Sequence, residues 1–277
     1  MASVTVATQT AAGLANDVTK IRSAAGLSRR RRLYSVVIGI LVWELVGRCV
    51  LTNGMLFAPF SEVLSVLWDM TVTGEIWLHI WVSATEFFLG FGLATFLGIA
   101  VGVLMGRFAI VRDYVDPWVS ILYSSPLVAL MPFYLLLFGV GLFSKVAIVF
   151  TVSIFPILLN TYVGMRSTDR TLLDVAQSFS CSNFQVFTKI EIPSALPFVI
   201  TGVRLGLGRG LTGVVVGELF SSQAGVGYLI ASAGQSFDAA KVLAGVLLFT
   251  GSGYLMMSFL SWLGNVLAPW RSSLDGR

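Results

Sequence analysis

Six long apolar stretches constrain this chain more than any other feature of its sequence. They lie at about residues 33–52, 81–106, 117–141, 146–165, 198–219 and 242–268. A helix needs roughly 20 residues to cross the hydrocarbon of a bilayer. Backbone groups in lipid must be hydrogen-bonded within the segment, and the sequence lacks the alternating pattern of a membrane barrel. We therefore expect all six stretches to be membrane-spanning helices.

The charge content agrees with this expectation. Only 12% of the 277 residues are charged, whereas soluble domains carry about 25%. The formal net charge is +4, and cytoplasmic loops facing anionic membrane lipid explain it better than nucleic acid does. Two cysteines, Cys49 and Cys181, are too few for a disulfide framework or a four-ligand zinc site. The composition therefore indicates an integral membrane protein whose partner is lipid and not nucleic acid.

The distribution of basic residues predicts the orientation of the spans. With the N-terminus inside, 13 of the 18 lysines and arginines fall on the cytoplasmic side, 3 fall outside, and Arg204 and Arg209 lie within a span. Cytoplasmic loops carry such an excess. The sequence thus predicts an all-α membrane protein with about six spans and both termini in the cytoplasm. Residues 1–32 are expected to be a disordered cytoplasmic tail, and residues 269–277 a cytoplasmic tail.

The outer connection, residues 53–80, is expected to be periplasmic and to contain a short amphipathic helix at the membrane surface. Ser61 is a candidate N-cap for this helix. Its apolar stripe consists of Val63, Leu64, Leu67 and Trp68.

The cytoplasmic connection, residues 166–197, predicts two short amphipathic helices joined by an elbow. In the first helix, Ser167 or Thr168 is the candidate cap and Asp169 lies in the first turn. Its apolar positions recur at helical spacing, at Leu172, Val175, Ala176 and Phe179.

The second short helix begins with the spacing of a capping box, Ser182 and Gln185. Pro193 is expected to end it, and Pro197 suits the first turn of the next span. Its apolar positions are Phe184, Phe187 and Ile190. From the pattern alone, the elbow could be a lid, a lipid-surface anchor, a docking knob or a plain interfacial linker.

The same segment resembles the EAA loop of binding-protein-dependent ABC permeases. That pattern is Glu-Ala-Ala, three residues, Gly, then about nine residues to an apolar-x-apolar-Pro ending, matched here by residues 190–193. Asp174 stands in place of the Glu, Val175 in place of the first Ala, and Ser180 in place of the Gly, while Ala176 matches the second Ala. Since Gly enters left-handed backbone freely and Ser does not, Ser180 bears on the elbow angle.

Further motifs are similar to the nitrate/sulfonate/taurine group of these permeases, and the resemblance covers about residues 79–265. They lie at residues 116–117, 125–132, 138–145, 202–204, 216–219 and 225–230. Glu86 departs from this group, which often has a basic residue there.

The resemblance implies a type I ABC importer permease fold in the bacterial plasma membrane. It implies a permease subunit for a small solute, an anion such as a sulfonate, nitrate or an aromatic acid. The expected partners are a separate ABC ATPase, a periplasmic or lipid-anchored solute-binding protein and a second permease copy. The residues that would couple to the ATPase are Asp174, Val175, Ala176, Phe179, Ser180, Phe184, Phe187, Ile192 and Pro193.

The chain is not expected to hydrolyse ATP itself. No lysine follows a glycine in the sequence, so the phosphate-binding Gly-Lys-Ser/Thr motif is missing. We therefore expect no catalytic residue, no metal ligand and no cofactor on this chain, and we expect the partner ATPase to use ATP and magnesium.

Several polar residues inside the spans require an explanation, because a charge at the bilayer centre costs about 2.5–3.5 kcal/mol on insertion scales. Glu44 and Arg48 have the spacing of an ion pair. Glu86 shares a helical face with His79, Ser83 and Gly90, and ion pairing explains it better than contact with a solute. Candidate residues of the translocation path are Glu86, Ser124, Ser125, Pro126 and Asn160, because broken helices often mark transport sites.

Two ladders of small residues at four-residue spacing predict close helix packing. They are Ala94, Gly98, Gly102 and Gly106, and then Gly202, Gly206 and Gly210. Static packing is the simpler interpretation, and sliding of helices during transport is the alternative.

Two other classes of protein compete with the importer. A secondary transporter driven by an ion gradient would be expected to show inverted repeats of spans, and the sequence contains no convincing pair. A membrane enzyme or scaffold would need a cluster of catalytic groups, for which the single histidine is poor material.

Overall fold

The computed structural model describes residues 31, 34–51 and 53–268. The chain divides into two compact units, Met1–Ser65 and Val66–Arg277. Apart from Arg31, the two predicted tails lie outside the described residues.

The first unit contains helix α1, residues 34–50, whose last turn, Val46–Val50, is π-helical. Most of its side chains are exposed, as expected of a helix that faces lipid. The predicted span at 33–52 agrees with α1 over the residues that are described. Helix α2, Phe60–Thr73, begins in this unit.

Glu44 joins α1 to the start of α2 within the first unit. Its carboxylate is 2.5 Å from Arg48, which confirms the predicted pair. It also accepts the Ser61 backbone N–H at 3.0 Å and the Ser61 hydroxyl at 2.9 Å. The prediction that Ser61 is the N-cap is wrong, because the helix already includes Phe60 and the Ser61 hydroxyl is bound to the Glu44 carboxylate.

In the second unit, the helices that follow α2 are joined by short connections. In chain order they are α3 (Glu75–Arg107), α4 (Ala109–Ser124), α5 (Met131–Phe138), α6 (Leu142–Arg166), α7 (Arg170–Ser178), α8 (Asn183–Val186), α9 (Ile192–Ser221), α10 (Val226–Gln235) and α11 (Ala239–Leu267). A 3₁₀ turn, Leu127–Leu130, precedes α5, and a π-helical turn, Phe187–Glu191, joins α8 to α9.

Within the described ranges, four helices are long and apolar enough to cross a membrane: Glu75–Arg107, Leu142–Arg166, Asn183–Phe220 and Ala239–Leu267. A fifth span results if the bent pair Ala109–Ser124 and Leu127–Phe138 is counted as one. These match five of the six predicted spans, with helix ends shifted by several residues. The total of six spans, and the cytoplasmic termini, stay predictions.

The predicted span at 117–141, in which Pro126 and Pro132 are expected to kink the helix, bends by 87° between Ala109–Ser124 and Leu127–Phe138. Ser125 is extended, at φ −78° and ψ 151°, directly before Pro126. Proline disfavours helical backbone in the residue before it and provides no N–H. The break at Pro126 follows from these two restrictions.

Helix α6 packs between α3 and α9. On one side, Gly90 packs against Val149 and Gly98 against Ile157, so α3 and α6 run parallel. On the other side, Gly206 packs against Ile157 and Gly213 against Val149, so α9 runs antiparallel to α6. The two small-residue ladders thus face α6, as close helix packing requires.

Candidate functional site

The elbow between α6 and α9 begins at a helix cap that the sequence analysis misassigned. The Asp169 side chain accepts the Thr171 backbone N–H at 2.8 Å, so Asp169 is the N-cap of α7. Ser167 and Thr168 instead donate to carbonyl groups at the end of α6, those of Gly164 and Met165. Their hydroxyls finish one helix, which leaves Asp169 to start the next.

The turn of the elbow is left-handed at Ser180, where φ is 52°. The Ser180 N–H donates to the Gln177 carbonyl at 2.8 Å, and the Cys181 N–H donates to the Ala176 carbonyl at 3.0 Å. This pair of hydrogen bonds is the Schellman arrangement that ends many helices, usually with glycine in the left-handed position. The serine therefore adopts the backbone that the loop glycine would supply in the permease pattern.

We expect Ser180→Gly to stabilise the elbow by about 0.5–1 kcal/mol. Left-handed backbone costs a residue with a side chain roughly 1–2 kcal/mol, from which the greater freedom of unfolded glycine is subtracted. Hydrogen exchange of the Ser180 and Cys181 amides should slow correspondingly. Ser178→Gly is the matched control, because it lies inside α7 and should speed exchange in that helix. Faster exchange in Ser180→Gly would contradict the left-handed assignment.

The second half of the elbow confirms one prediction and corrects another. Ser182 and Gln185 form the predicted capping box, with the Ser182 N–H donating to Gln185 Oε1 at 2.8 Å. Pro193 does not end the helix, because the π-helical turn Phe187–Glu191 continues directly into α9. Pro193 lies in the first turn of α9, where a missing N–H costs little, and Pro197 lies inside that helix.

The tip of the elbow presents large apolar side chains to the exterior. Phe179 is 78% exposed and Phe184 is 73% exposed, one on each side of the left-handed turn. Leu172 and Val175 are each 49% exposed on α7, while Ala176 is buried. Aromatic side chains so exposed on a polar segment are typical of a surface that contacts another protein.

The other predicted coupling residues lie around this tip. Asp174 is exposed, and its backbone carbonyl accepts the Ser178 hydroxyl at 3.0 Å. Ile192 is exposed, and Phe187 and Pro193 are half-buried where the elbow meets α9.

An ion pair that the sequence analysis missed ties the elbow to the membrane helices. Arg107, at the end of α3, lies 3.1 Å from Glu191 in the π-helical turn. The two residues are 84 positions apart, so no local pattern could have joined them. The ion pair thus links the elbow to α3, in addition to the direct continuation of the elbow into α9.

The candidate path residues do not form one site. The Ser124 and Ser125 hydroxyls both donate to the Ile121 carbonyl of their own helix. Asn160 Nδ2 donates to the Pro156 carbonyl at 2.8 Å. Asn160 lies 15 residues after Lys145, whose ammonium group contacts Glu86, and this separation is about 22 Å along α6. Their role in a translocation path stays a hypothesis.

A second group of polar side chains is buried where α3, α6 and the end of α9 meet. Lys145 Nζ donates to Glu86 Oε1 and to Ser222 Oγ, each at 2.8 Å. Glu218 accepts the Ser83 hydroxyl at 2.5 Å. Glu86, Lys145 and Glu218 are only 2%, 5% and 1% exposed. We name these five residues the buried polar cluster.

The cluster also fixes the turn between α9 and α10. Glu218 Oε2 accepts the Gly227 N–H at 2.6 Å, and the Ser83 hydroxyl oxygen accepts the Val226 N–H at 2.9 Å. His79 Nδ1 accepts the Gly225 N–H at 3.0 Å. The expected ion pairing of Glu86 is thus observed, and its partner is Lys145, which lies between the predicted spans 117–141 and 146–165.

Comparisons with known proteins agree with this architecture. Residues 94–272 match the family model for the binding-protein-dependent transport system inner membrane component. The putative aliphatic sulfonates transport permease protein SsuC of Bacillus subtilis is 34% identical over 86% of each chain. The taurine transport system permease protein TauC of Escherichia coli is 30% identical over 90% of this chain and 93% of that one.

The fold is also similar to a solved structure. An inward-facing form of the MetNI methionine ABC transporter has a chain that matches 70% of this one and 98% of its own length, with a TM-score of 0.60 and 18% identity.

Proposed function

Because this chain belongs to the family of binding-protein-dependent transport system inner membrane components, we propose that its elbow is the surface on which a separate ATPase subunit acts. The chain is the permease subunit of an ABC importer in the inner membrane, and it works with an ATPase and a solute-binding protein. Within that machine, the elbow is the segment that converts closure of the ATPase into movement of the helices.

The observation that carries this proposal is the exposed aromatic tip. Phe179 and Phe184 are large, apolar and freely accessible on either side of a fixed turn. Exposing such side chains to water is unfavourable, and burying them in a groove of a partner would recover about 1.5–3 kcal/mol for each. The Schellman turn and the capping box hold both residues in place before the partner binds, which lowers the entropic cost of docking.

The proposed solute is a small sulfonate-type anion. The support is the names of the two relatives, which are assigned to aliphatic sulfonates and to taurine. The proposed assembly contains two copies of this permease, since closed symmetric dimers are the commonest oligomers. ATP and magnesium belong to the ATPase in this proposal, and the permease itself binds no cofactor.

We expect Asp174→Lys to reduce recovery of the ATPase with the purified permease, and ATP-driven uptake of an alkanesulfonate, by about tenfold or more. Asp174 lies on the exposed side of α7, and reversing its charge within a docked interface costs more than about 1.4 kcal/mol, which is a factor of ten. Uptake would be measured in proteoliposomes that contain the permease, the ATPase and the binding protein.

Asp69→Lys is the control for Asp174→Lys, because it makes the same charge change at an exposed position of α2, away from the elbow. It should leave recovery of the ATPase and uptake unchanged. Full recovery and full uptake in Asp174→Lys would argue against the elbow as the docking surface.

A further inference from the structure

Arg209 is a basic residue near the middle of a membrane-crossing helix. It lies 17 residues after Ile192 and 12 residues before Ser221, the two ends of α9, which is roughly 25 Å and roughly 18 Å along the helix. The next residue, Gly210, packs against Ser153, close to the midpoint of α6. From this depth an arginine side chain does not reach the headgroups at either membrane surface.

The Arg209 side chain is exposed and has no ion pair with any described residue. Arginine keeps its charge in proteins, and a charge facing lipid at this depth is strongly unfavourable. Charged residues within spans therefore face protein or a water-filled cavity. The exposed side of α9 around Arg209 is thus not a lipid-facing surface.

The residues beside Arg209 on this side of α9 are small. Gly208 and Thr212 are both exposed, and a β-carbon at Gly208 would have no atom within 4 Å. The Thr212 hydroxyl donates to the Gly208 carbonyl at 3.2 Å. Large apolar side chains return on the same side only at Leu205 and Leu219. The guanidinium group therefore lies beside open space with a polar wall.

The carboxylates of the described residues do not provide a partner for Arg209 at this depth. Glu86 is paired with Lys145, and both oxygens of Glu218 accept hydrogen bonds. Asp116 is exposed, but it lies seven residues from the start of α4, roughly 10 Å from the end of that helix. A second copy of the chain would bring the same set of carboxylates. The negative group that faces Arg209 therefore comes from another molecule.

We propose that Arg209 lines the translocation path and binds the anionic group of the solute as it crosses the membrane. This inference rests on the proposed function, because it takes the solute to be a sulfonate-type anion. A guanidinium group presents several N–H donors in a fixed fork, which suits a group with several acceptor oxygens. Arginine and lysine side chains select anions in membrane pores in the same way, and release requires that such binding be weak.

Arg209→Gln should lower ATP-driven uptake of an alkanesulfonate into proteoliposomes by about tenfold, because it replaces charged donors with neutral ones. Arg209→Lys keeps the charge and should retain more uptake. Recovery of the ATPase with the permease should be native in both variants, since the elbow is unchanged. Arg112→Gln is the control, because Arg112 pairs with its neighbour Asp113 on α4, and it should transport normally.

The outcomes separate this inference from the proposed function. No uptake of the sulfonate by the native protein would contradict the proposed solute and this inference together. Full uptake in Arg209→Gln would overturn this inference alone, as would a loss of ATPase recovery in that variant. If Asp116→Asn reproduced the loss seen in Arg209→Gln, Asp116 of a second copy would be the partner of Arg209 instead.

Cysteine accessibility gives a readout that does not depend on which solute is carried. With Cys49 and Cys181 replaced by serine, Arg209→Cys should react with a water-soluble, sulfonate-bearing thiol reagent during ATP turnover. Leu93→Cys is the matched control, because Leu93 is exposed near the middle of α3 and should stay unreactive in lipid. Phe184→Cys, at the exposed elbow, should react and shows that the reagent reaches the protein. An unreactive Arg209→Cys beside a reactive Phe184→Cys would overturn the assignment of Arg209 to the path.

Discussion

Replacing Lys145 with methionine is expected to prevent most of the protein from accumulating as a folded membrane subunit. Methionine keeps the length of the side chain but removes the only ammonium group of the buried polar cluster. Breaking a buried ion pair by deleting one partner costs about 3–5 kcal/mol. That is a large share of the roughly 5–15 kcal/mol that holds a folded domain together. Yield after detergent extraction and the unfolding midpoint of the recovered protein would measure the loss.

The matched control for Lys145→Met is Lys241→Met. Lys241 lies 4.0 Å from Glu75, and the two side chains are 41% and 49% exposed. Exposed pairs contribute about 0–1 kcal/mol, so this variant should accumulate normally. Equal yields for the two methionine variants would show that the buried ammonium group of Lys145 contributes no more to stability than the exposed one of Lys241.

A second substitution identifies which carboxylate carries the charge that Lys145 balances. Glu86→Gln should restore much of the yield of Lys145→Met, because it removes the carboxylate that Lys145 contacts at 2.8 Å. Glu218→Gln should restore less, because the Glu218 oxygens accept from Ser83 and Gly227 and not from Lys145. Pairs in contact show such non-additive effects, and a double-mutant cycle of unfolding midpoints isolates them. Rescue by Glu218→Gln alone would assign the charge to Glu218 instead.

Local patterns in the sequence predicted the elbow well, because helix caps are made by residues a few positions apart. The capping box of Ser182 and Gln185 was confirmed, as was the first short helix, whereas the second continues into α9. The prediction that Ser167 or Thr168 caps α7 was wrong because aspartate caps helices as well as serine and threonine do. Only the structure shows that the two hydroxyls are used by the last turn of α6.

Contacts between distant segments could not be predicted in the same way. The free-energy cost of a charge in the membrane indicated that Glu86 needs a partner. Nothing in the sequence indicates that the partner is Lys145, which is 59 residues away. That pairing depends on α3 and α6 being parallel and in one particular register. Likewise, the helix is continuous through Pro193 because a π-helical turn shifts the hydrogen bonds before the proline. Proline alone predicted a helix end there.

The second large effect is expected at Gly102, where α3 packs closely against α6. A β-carbon at Gly102 would come within 2.7 Å of the Leu158 carbonyl oxygen and 2.7 Å of Thr161 Cβ. Neither atom can move aside by a change of rotamer, so the helices must separate. Overpacking of this kind costs about 1–3 kcal/mol or more. Gly102→Val should therefore lower the unfolding midpoint by roughly 5–10 °C.

Gly92→Val is the control within the same helix. A β-carbon at Gly92 has no atom within 4 Å, so valine there should leave the midpoint unchanged or raise it slightly. An equal loss in both variants would mean that valine disfavours α3 itself, independently of α6.

Uptake by the folded fraction of Gly102→Val then separates the two interpretations of the glycine ladders. If the ladders only allow static packing, each folded subunit should transport at the native rate and the loss of uptake should follow the loss of folded protein. If α3 must slide along α6 during transport, the valine side chain would obstruct that movement. Uptake per folded subunit should then fall further than the yield does. Because Ile157 on α6 contacts Gly98 on one side and Gly206 on the other, such obstruction should also appear in Gly206→Val.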